Sequence, residues 1–219
     1  MARLPPPPLP PLPQEPWTHE NLRQAASVCR ACDLHKTGTQ TVFGEGTPHP
    51  EAMFVGEQPG DKEDLAGHPF VGPAGQLLNR AFVQAGIDRG RVYVTNTVKH
   101  FKWEPQGKVR LHAKPNAREI LACRPWLEAE IRVIRPKVIV CLGATAAQAL
   151  LGKDFRVTQR RGELIASPWA PAVIATVHPS SILRAPDPEA HERQFELFVQ
   201  DLSHAAQVMR GSASSELSL

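Results

Sequence analysis

KVIVCLGATAAQALL, Lys137 to Leu151, is the stretch that decides the fold. Lys137 to Leu142 is an almost unbroken apolar run of strand length. A strand apolar at every position is buried on both faces. Gly143 breaks the run, and Ala144 to Leu151 then reads as a short helix. A doubly buried strand followed at once by a helix is the repeating unit of a parallel sheet covered by helices.

The same alternation extends both ways from this unit. Upstream, Asn116-Ala-Arg-Glu119 forms a capping box for a helix to about Ile134, with Ile120, Leu127, Ile131 and Ile134 as its buried stripe and Pro136 as its stop. Before it, Arg91 to Asn96 reads as a strand. Ala74 to Ala85 reads as an amphipathic helix burying Leu77, Leu78, Ala81, Phe82 and Ala85, and Gly86 ends it. Ala52 to Val55 is a further strand. Thr18 caps a short helix to Arg30. Downstream, Ala172 to Val177 is another buried strand. Asp187-Pro188-Glu189 supplies the cap, first-turn proline and acid of a last helix to about Met209, which buries Phe195, Phe198, Val199 and Leu202. This order predicts an α/β fold of three layers, α/β/α, around a central, mainly parallel sheet of four strands.

The 219 residues suffice for one such domain, and the net charge of +3 discriminates little. The expected organisation is a Pro-rich disordered arm over 1–16, a single domain over 17–210 and a flexible Ser-rich tail over 211–219. No apolar run approaches the roughly 20 residues needed to span a bilayer, and no signal-peptide core is present. A cytoplasmic protein is expected, in which four cysteines are reduced, buried or metal-bound rather than paired.

Between the second strand and the Asn116 helix runs Val98 to His112, VKHFKWEPQGKVRLH. It is too basic and irregular for core, and longer than a minimal connection. Long connections of this kind usually carry function. With its flanks, from Asp88 to Arg118, it holds eight Lys or Arg against two acids, Asp88 and Glu104. That balance suits a polyanion, although a solvated face has the same look.

In open parallel sheets, ligands bind beyond the carboxyl ends of the strands. Gly56 to Gly60, Asn96 onward, Gly143, and His178 to Ser181 all fall there. The glycines of Gly56-Glu57-Gln58-Pro59-Gly60 allow close backbone approach to a ligand, and Glu57 is the carboxylate expected to face it. Phe70, in the turn Gly67 to Pro73, suits stacking on a planar ligand and equally suits a core. Cys29-Arg-Ala-Cys32 has metal-ligand spacing. Cys141, inside an apolar strand, reads as a small buried hydrophobe. Cys29, Cys32 and Cys123 then lack a fourth ligand, for which His100 is the best candidate. Spacing leaves open a zinc ion, an iron–sulfur cluster and a pair of buried or redox thiols.

Taken together, GEQPGDKEDLAGHPFVGPAGQLL, YVTNTVKHF, KVRLH, ACRPWLEAEI, LGATAAQALLG and VHPSSILR resemble uracil-DNA glycosylases of the family-4 type, and among them the UdgX branch. The resemblance covers about residues 25–205 in order. It implies a 4Fe-4S cluster on Cys29, Cys32, His100 and Cys123, with His100 standing where other family-4 members carry cysteine. It implies that Phe70 stacks on a flipped uracil and that Asn96 pairs with its O4 and N3. Backbone around Gly56 and Gln58 would contact the ring, and His178 would donate to O2. Ser180 is expected on a phosphate, with Leu183 and Arg184 near the vacated stack.

Lys108-Val109-Arg110-Leu111-His112 matches the basic-x-Arg-x-His motif of that branch. It implies that His112 attacks the sugar C1′ and stays bonded, with Glu57 accepting its proton or steadying the sugar cation. Arg110 would hold the loop or, with Lys108, a DNA phosphate. The motif's usual form has Arg and Ile where this chain has Val109 and Leu111, and the charge lost at Val109 is expected to weaken loop docking or DNA grip. The implied partner is uracil-containing DNA, preferably single-stranded, met by a monomer in the cytoplasm at the bacterial nucleoid. Two other readings stand beside this one. The first is a multiple-turnover family-4 glycosylase whose His112 only binds DNA. The second is a non-catalytic, metal-stabilised DNA-binding module.

Overall fold

The computed structural model describes residues 5–47 and 49–211. Thr18 caps α1 (His19–Ala26), its hydroxyl accepting from the Asn21 amide while the Asn21 side chain accepts from Thr18 N. In chain order there follow β1 (Glu45–Gly46), β2 (Ala52–Gly56), α2 (Asp61–Ala66), α3 (Pro73–Ala85), β3 (Val92–Asn96), β4 (Trp103–Gln106) and β5 (Val109–His112). Then come α4 (Ala117–Ile134), β6 (Val138–Leu142), α5 (Ala144–Leu151), α6 (Val157–Arg160), β7 (Ile165–Ser167), β8 (Ala170–Thr176), α7 (Pro179–Leu183) and α8 (Pro188–Met209).

The main sheet has six strands in the order β1-β3-β2-β6-β8-β7. Its four central strands, β3, β2, β6 and β8, are parallel and are the four expected from sequence. The expected α/β/α architecture is present, but the count of four was short by the antiparallel edges β1 and β7. Those edges hold two and three residues and are half exposed, too short to show a period.

Side chains alternate across the sheet, as the pleat requires. Phe54, Val94, Val140 and Ile174 face α3 and α8, packing on Phe82, Phe195 and Phe198. Met53, Tyr93, Ile139 and Val173 face the other way, onto Leu127, Ile131 and Ala147 of α4 and α5. Burial on both faces explains why these strands carry almost no polar residues. A third cluster gathers Leu22, Leu34, Phe43 and Val98 around Trp126, and holds Cys29 and Cys123. Leu12 and Trp17 pack against it, and Trp17 Nε1 donates to Pro13 O at 3.0 Å. Residues 1–4 of the arm and 212–219 of the tail lie outside the described residues.

The segment expected to be an irregular loop is an antiparallel hairpin, with Trp103 opposite His112 and Gln106 opposite Val109. Both strands are short and mostly exposed, and Pro105 interrupts one of them. No burial alternation therefore marks them in the sequence. Gly107 and Lys108 form the two-residue turn, and Gly107 has φ +61°, the positive value such turns require.

A Cβ at Gly107 would have no neighbour within 4 Å. Gly107→Ala should therefore carry only backbone strain, about 1 kcal/mol. The expected result is faster amide exchange in β4 and β5 with no change in β2, β3, β6 or β8.

Candidate active site

Gly56 ends β2 and pairs with Asn96, which ends β3. A Cβ at Gly56 would overlap Asn96 Oδ1 and lie 2.9 Å from Phe70 Cζ. The buried Asn96 amide and the Phe70 ring thus converge over a backbone without a side chain. Phe70 itself adopts φ +58°, a left-handed value for a non-glycine residue. Two neighbours shape the turn around it. Gly75 has no Cβ, and one there would run into Phe70 O. Buried Glu63 accepts from Gly60 N at 3.1 Å and from Gly72 N at 2.6 Å, which clamps both glycine-rich turns to one carboxylate.

His178 caps α7, and its ring lies nearly parallel to Phe70 with centroids 6.4 Å apart. Its Nδ1 accepts from Ser180 N at 3.2 Å and from Ser180 Oγ at 2.8 Å. A ring nitrogen that accepts an amide proton carries none itself, so the neutral ring keeps its proton on Nε2. Burial pushes the His178 imidazole down to about 4, with His112 and Arg184 adding like charge. The group is therefore a neutral Nε2–H donor at physiological pH.

Glu57 follows Gly56. One of its oxygens, Oε2, accepts from the Thr145 hydroxyl in the first turn of α5. The other, Oε1, lies 3.4 Å from His112 Nε2. The His112 side chain is 50% exposed and leans towards Phe101, with ring centroids 6.2 Å apart.

The hairpin that carries His112 is tied down twice. At its root, the Gln58 amide donates to Lys102 O (3.0 Å) and Ala113 O (3.1 Å) and accepts from Lys102 N (3.1 Å). Further out, Arg110 donates to Asp61 Oδ1 and Asp64 Oδ2, both at 2.6 Å, with its guanidinium over Phe101 and Trp103. Of the two roles expected of Arg110, these contacts are those of loop holding. Val109 and Leu111 lie on the opposite face of β5, 62% and 50% exposed, so docking makes no use of position 109. Lys108 is exposed at the turn, and Leu183 and Arg184 are exposed at the end of α7. The Ser180 hydroxyl is directed at His178.

Three thiols collect in the third cluster. Cys29 Sγ accepts from Trp126 Nε1 at 3.3 Å, and Cys123 Sγ accepts from Lys99 N at 3.2 Å. Burial pushes the Cys123 thiol up to about 12, Lys99 works against that, and Cys32 and Cys29 are near enough to add to it. His100 is buried and its Nε2 sits 3.2 Å from Thr41 Oγ1. Burial, followed by neighbouring His35, pushes its imidazole down to about 4, which keeps it neutral and able to ligate. Among the described residues, no three His, Cys, Asp or Glu side chains gather closely enough to share one ion. A multi-iron cluster takes each ligand on a separate iron, so it accepts a wider spread, and N–H donors to sulfur are its usual surroundings. The three thiols, with N–H donors on two of their sulfurs, have the chemistry such a cluster requires, while His100 Nε2 faces Thr41. Cys141 lies in the core of β6, as expected.

Sequence reasoning missed Glu63, Asp64 and Thr145. Asp61-Lys62-Glu63-Asp64 has the look of a solvated charge run, yet Asp64 is wholly buried. Nothing in residue type separates it from a surface acid.

Known proteins resemble this chain over most of its length. The family model described as the uracil DNA glycosylase superfamily matches residues 43–203. A type-4 uracil-DNA glycosylase of Thermotoga maritima is 41% identical over 173 residues, 77% of this chain and 86% of that protein. One of Archaeoglobus fulgidus is 40% identical over 76% of this chain and 84% of its own. One of Pyrobaculum aerophilum is 36% identical over 76% and 85%. No helix among the described residues is long and apolar enough to cross a membrane.

Burial of the His178 imidazole makes folding stability depend on pH. Between pH 6.5 and about 4 the unfolded chain binds a proton that the folded chain refuses. Stability from this group is complete above pH 6.5 and is lost as pH falls through that window. NMR titration of His178 should give a midpoint near 4. The fall in denaturation free energy on acidification should be shallower in His178→Asn.

Proposed function

The chain belongs to the uracil-DNA glycosylase superfamily, and on that premise we propose that it flips uracil out of single-stranded DNA, breaks the glycosidic bond and stays bonded to the sugar through His112. This assigns it to the UdgX branch. An unpaired base costs least to extrude, which favours single strands. The Asn96 amide offers its N–H to uracil O4 and its oxygen to N3–H. Phe70 covers the ring, and the bare Gly56 backbone leaves room for it.

As the bond between C1′ and the base breaks, its electron pair leaves with uracil and charge gathers on O2. The Nε2–H of His178 donates there, a contact worth a few kcal/mol when formed mainly in the transition state. Glu57 steadies the sugar cation and takes the Nε2 proton of His112. The freed lone pair then bonds to C1′. An N-alkylated imidazole is a poor leaving group, so the adduct persists. Arg110 keeps the hairpin docked. Lys108, Ser180 and Arg184 serve the DNA backbone, and Leu183 fills the vacated stack.

Cys29, Cys32, His100 and Cys123 would hold a 4Fe-4S cluster. When bound, that group crosslinks distant chain segments by metal–ligand bonds. Residues 17–210 act as one domain and as a monomer, at the DNA of a bacterial cytoplasm.

The observation that carries this reading is the 3.4 Å approach of His112 Nε2 to Glu57 Oε1, with the other oxygen of Glu57 held by Thr145. A second reading is favoured by the type-4 relatives and by the half-exposed His112 ring, which leaves water a path. In it, water takes C1′ and His112 only binds DNA.

One denaturing gel with uracil-containing single-stranded DNA decides between them. A heat- and detergent-stable shifted band is expected, absent in His112→Ala. Uracil release without a band in the parent chain would establish the second reading. Iron and sulfide analysis with visible absorption tests the cluster; zinc without iron would refute it.

A further inference from the structure

Lys99 is 1% exposed, and Glu130 on α4 is as deeply buried. All three ammonium protons of Lys99 are used. They go to Thr95 Oγ1 (2.7 Å), Asn96 O (2.6 Å) and Glu130 Oε2. Glu130 is held in turn by Tyr93 OH (2.8 Å), Thr95 Oγ1 (2.9 Å) and Gly44 N (3.1 Å). Such a pair is expensive to desolvate and is tolerable only because every lone pair and proton is met. None of this reaches solvent or substrate, so the proposed chemistry makes no use of it.

Its placement is informative. Cys123 and Glu130 stand seven residues apart on α4, hence on one face. Lys99 meets both, giving its backbone N–H to Cys123 Sγ and its side chain to Glu130. The other two side-chain donors go to Thr95 Oγ1, beside Glu130, and to the carbonyl of Asn96. Tyr93 and Thr95 point from β3 towards Glu130, so Asn96 points to the opposite face, over Gly56.

We infer that Lys99 is a positioning residue for base selection: it ties the Asn96 carbonyl to α4, so the buried Lys99–Glu130 pair sets how the Asn96 amide meets the base. This rests on the base-reading role proposed for Asn96. A lysine at position 99 thereby joins the helix that carries a thiol ligand to the residue that reads the base edge.

A double-mutant cycle tests it by single-turnover uracil release below substrate saturation. Lys99→Met alone strands the Glu130 charge, so Lys99→Met/Glu130→Gln removes both charges together. Circular dichroism and iron content, measured alongside, should match the parent chain, because the contact to Cys123 is made by backbone. If the double variant does not fold, Lys99→Arg takes its place. Arginine keeps the charge but its planar head does not reproduce a point donor among three oxygens. The expected result is a loss of about tenfold in the Asn96 chain and less than about twofold in an Asn96→Ala chain, since residues acting through one another are non-additive. Equal losses in both backgrounds would overturn the inference while leaving Asn96 as base reader. An undiminished rate in Asn96→Ala would overturn the base-reading role and the inference with it.

Discussion

The pairing of β2 with β3 continues past the ends of both strands. Thr97 N donates to Gly56 O and Val98 N donates to Glu57 O, each at 2.9 Å. Those two bonds hold together the segments that diverge beyond the sheet. On the β2 side come Glu57 and Gln58; on the β3 side come Lys99 and His100. One short ladder thus fixes the carboxylate, the root of the hairpin and the cysteine-lined cluster relative to one another. The register is itself constrained, because Gly56 faces Asn96 and a side chain there would displace the Asn96 amide. A glycine at the last residue of a strand weakens it slightly, and here the missing side chain is what leaves room for the Asn96 amide and the Phe70 ring.

Around this ladder, loops are ordered by buried acids rather than by hydrophobic packing. Glu63 brackets the two glycine-rich turns, Asp64 accepts from Thr39 N (2.9 Å) and Arg110, and Glu130 gathers β3, Gly44 and Lys99. Each acid is costly to bury and each is met by several donors. Removing one partner leaves a charge without compensation, a loss of about 3–5 kcal/mol, larger than the pair itself contributes. The consequence is a site that is stiff where carboxylates bracket it. The hairpin differs: Gln58 and Arg110 tie it at two points, and the turn between them stands in solvent.

The central strands were legible because double burial leaves an apolar run between turn residues, and Ala52, Val92, Val138 and Ala170 begin strands within two residues of where the sequence puts them. The ends of helices were legible wherever a cap has a mechanism, as at Asn116, Asp187 and Gly86. Edge strands and the hairpin were not, since an exposed strand of two to four residues imposes no pattern. At the site, glycines, the aromatic and the histidines stand out by type and by their place after strands. Glu63, Asp64, Glu130 and Thr145 do not. Their importance lies in burial, and burial of an acid is decided by amides and cations that arrive from distant segments. Gln58 was expected to act through its backbone, and nothing in its residue type announces that its side chain also holds the hairpin root.

The spacing of the basic motif acquires its meaning only from the hairpin. In a strand, residues two apart share a face; in a helix they point apart. Arg110 and His112 therefore act from one side of β5, while Val109 and Leu111 fill the other. Arg110 finds Asp61 and Asp64, which are three apart on α2 and so share a face by the helical period. Two periodicities meet at one guanidinium. Once that contact is made, the strand geometry leaves His112 two residues further along, beside Glu57 and over the end of β2. A charge at position 109 would stand on the outward face and add nothing to this alignment. The placement of His112 is thus set by the hairpin register and by two aspartates whose positions in the sequence give no hint of it.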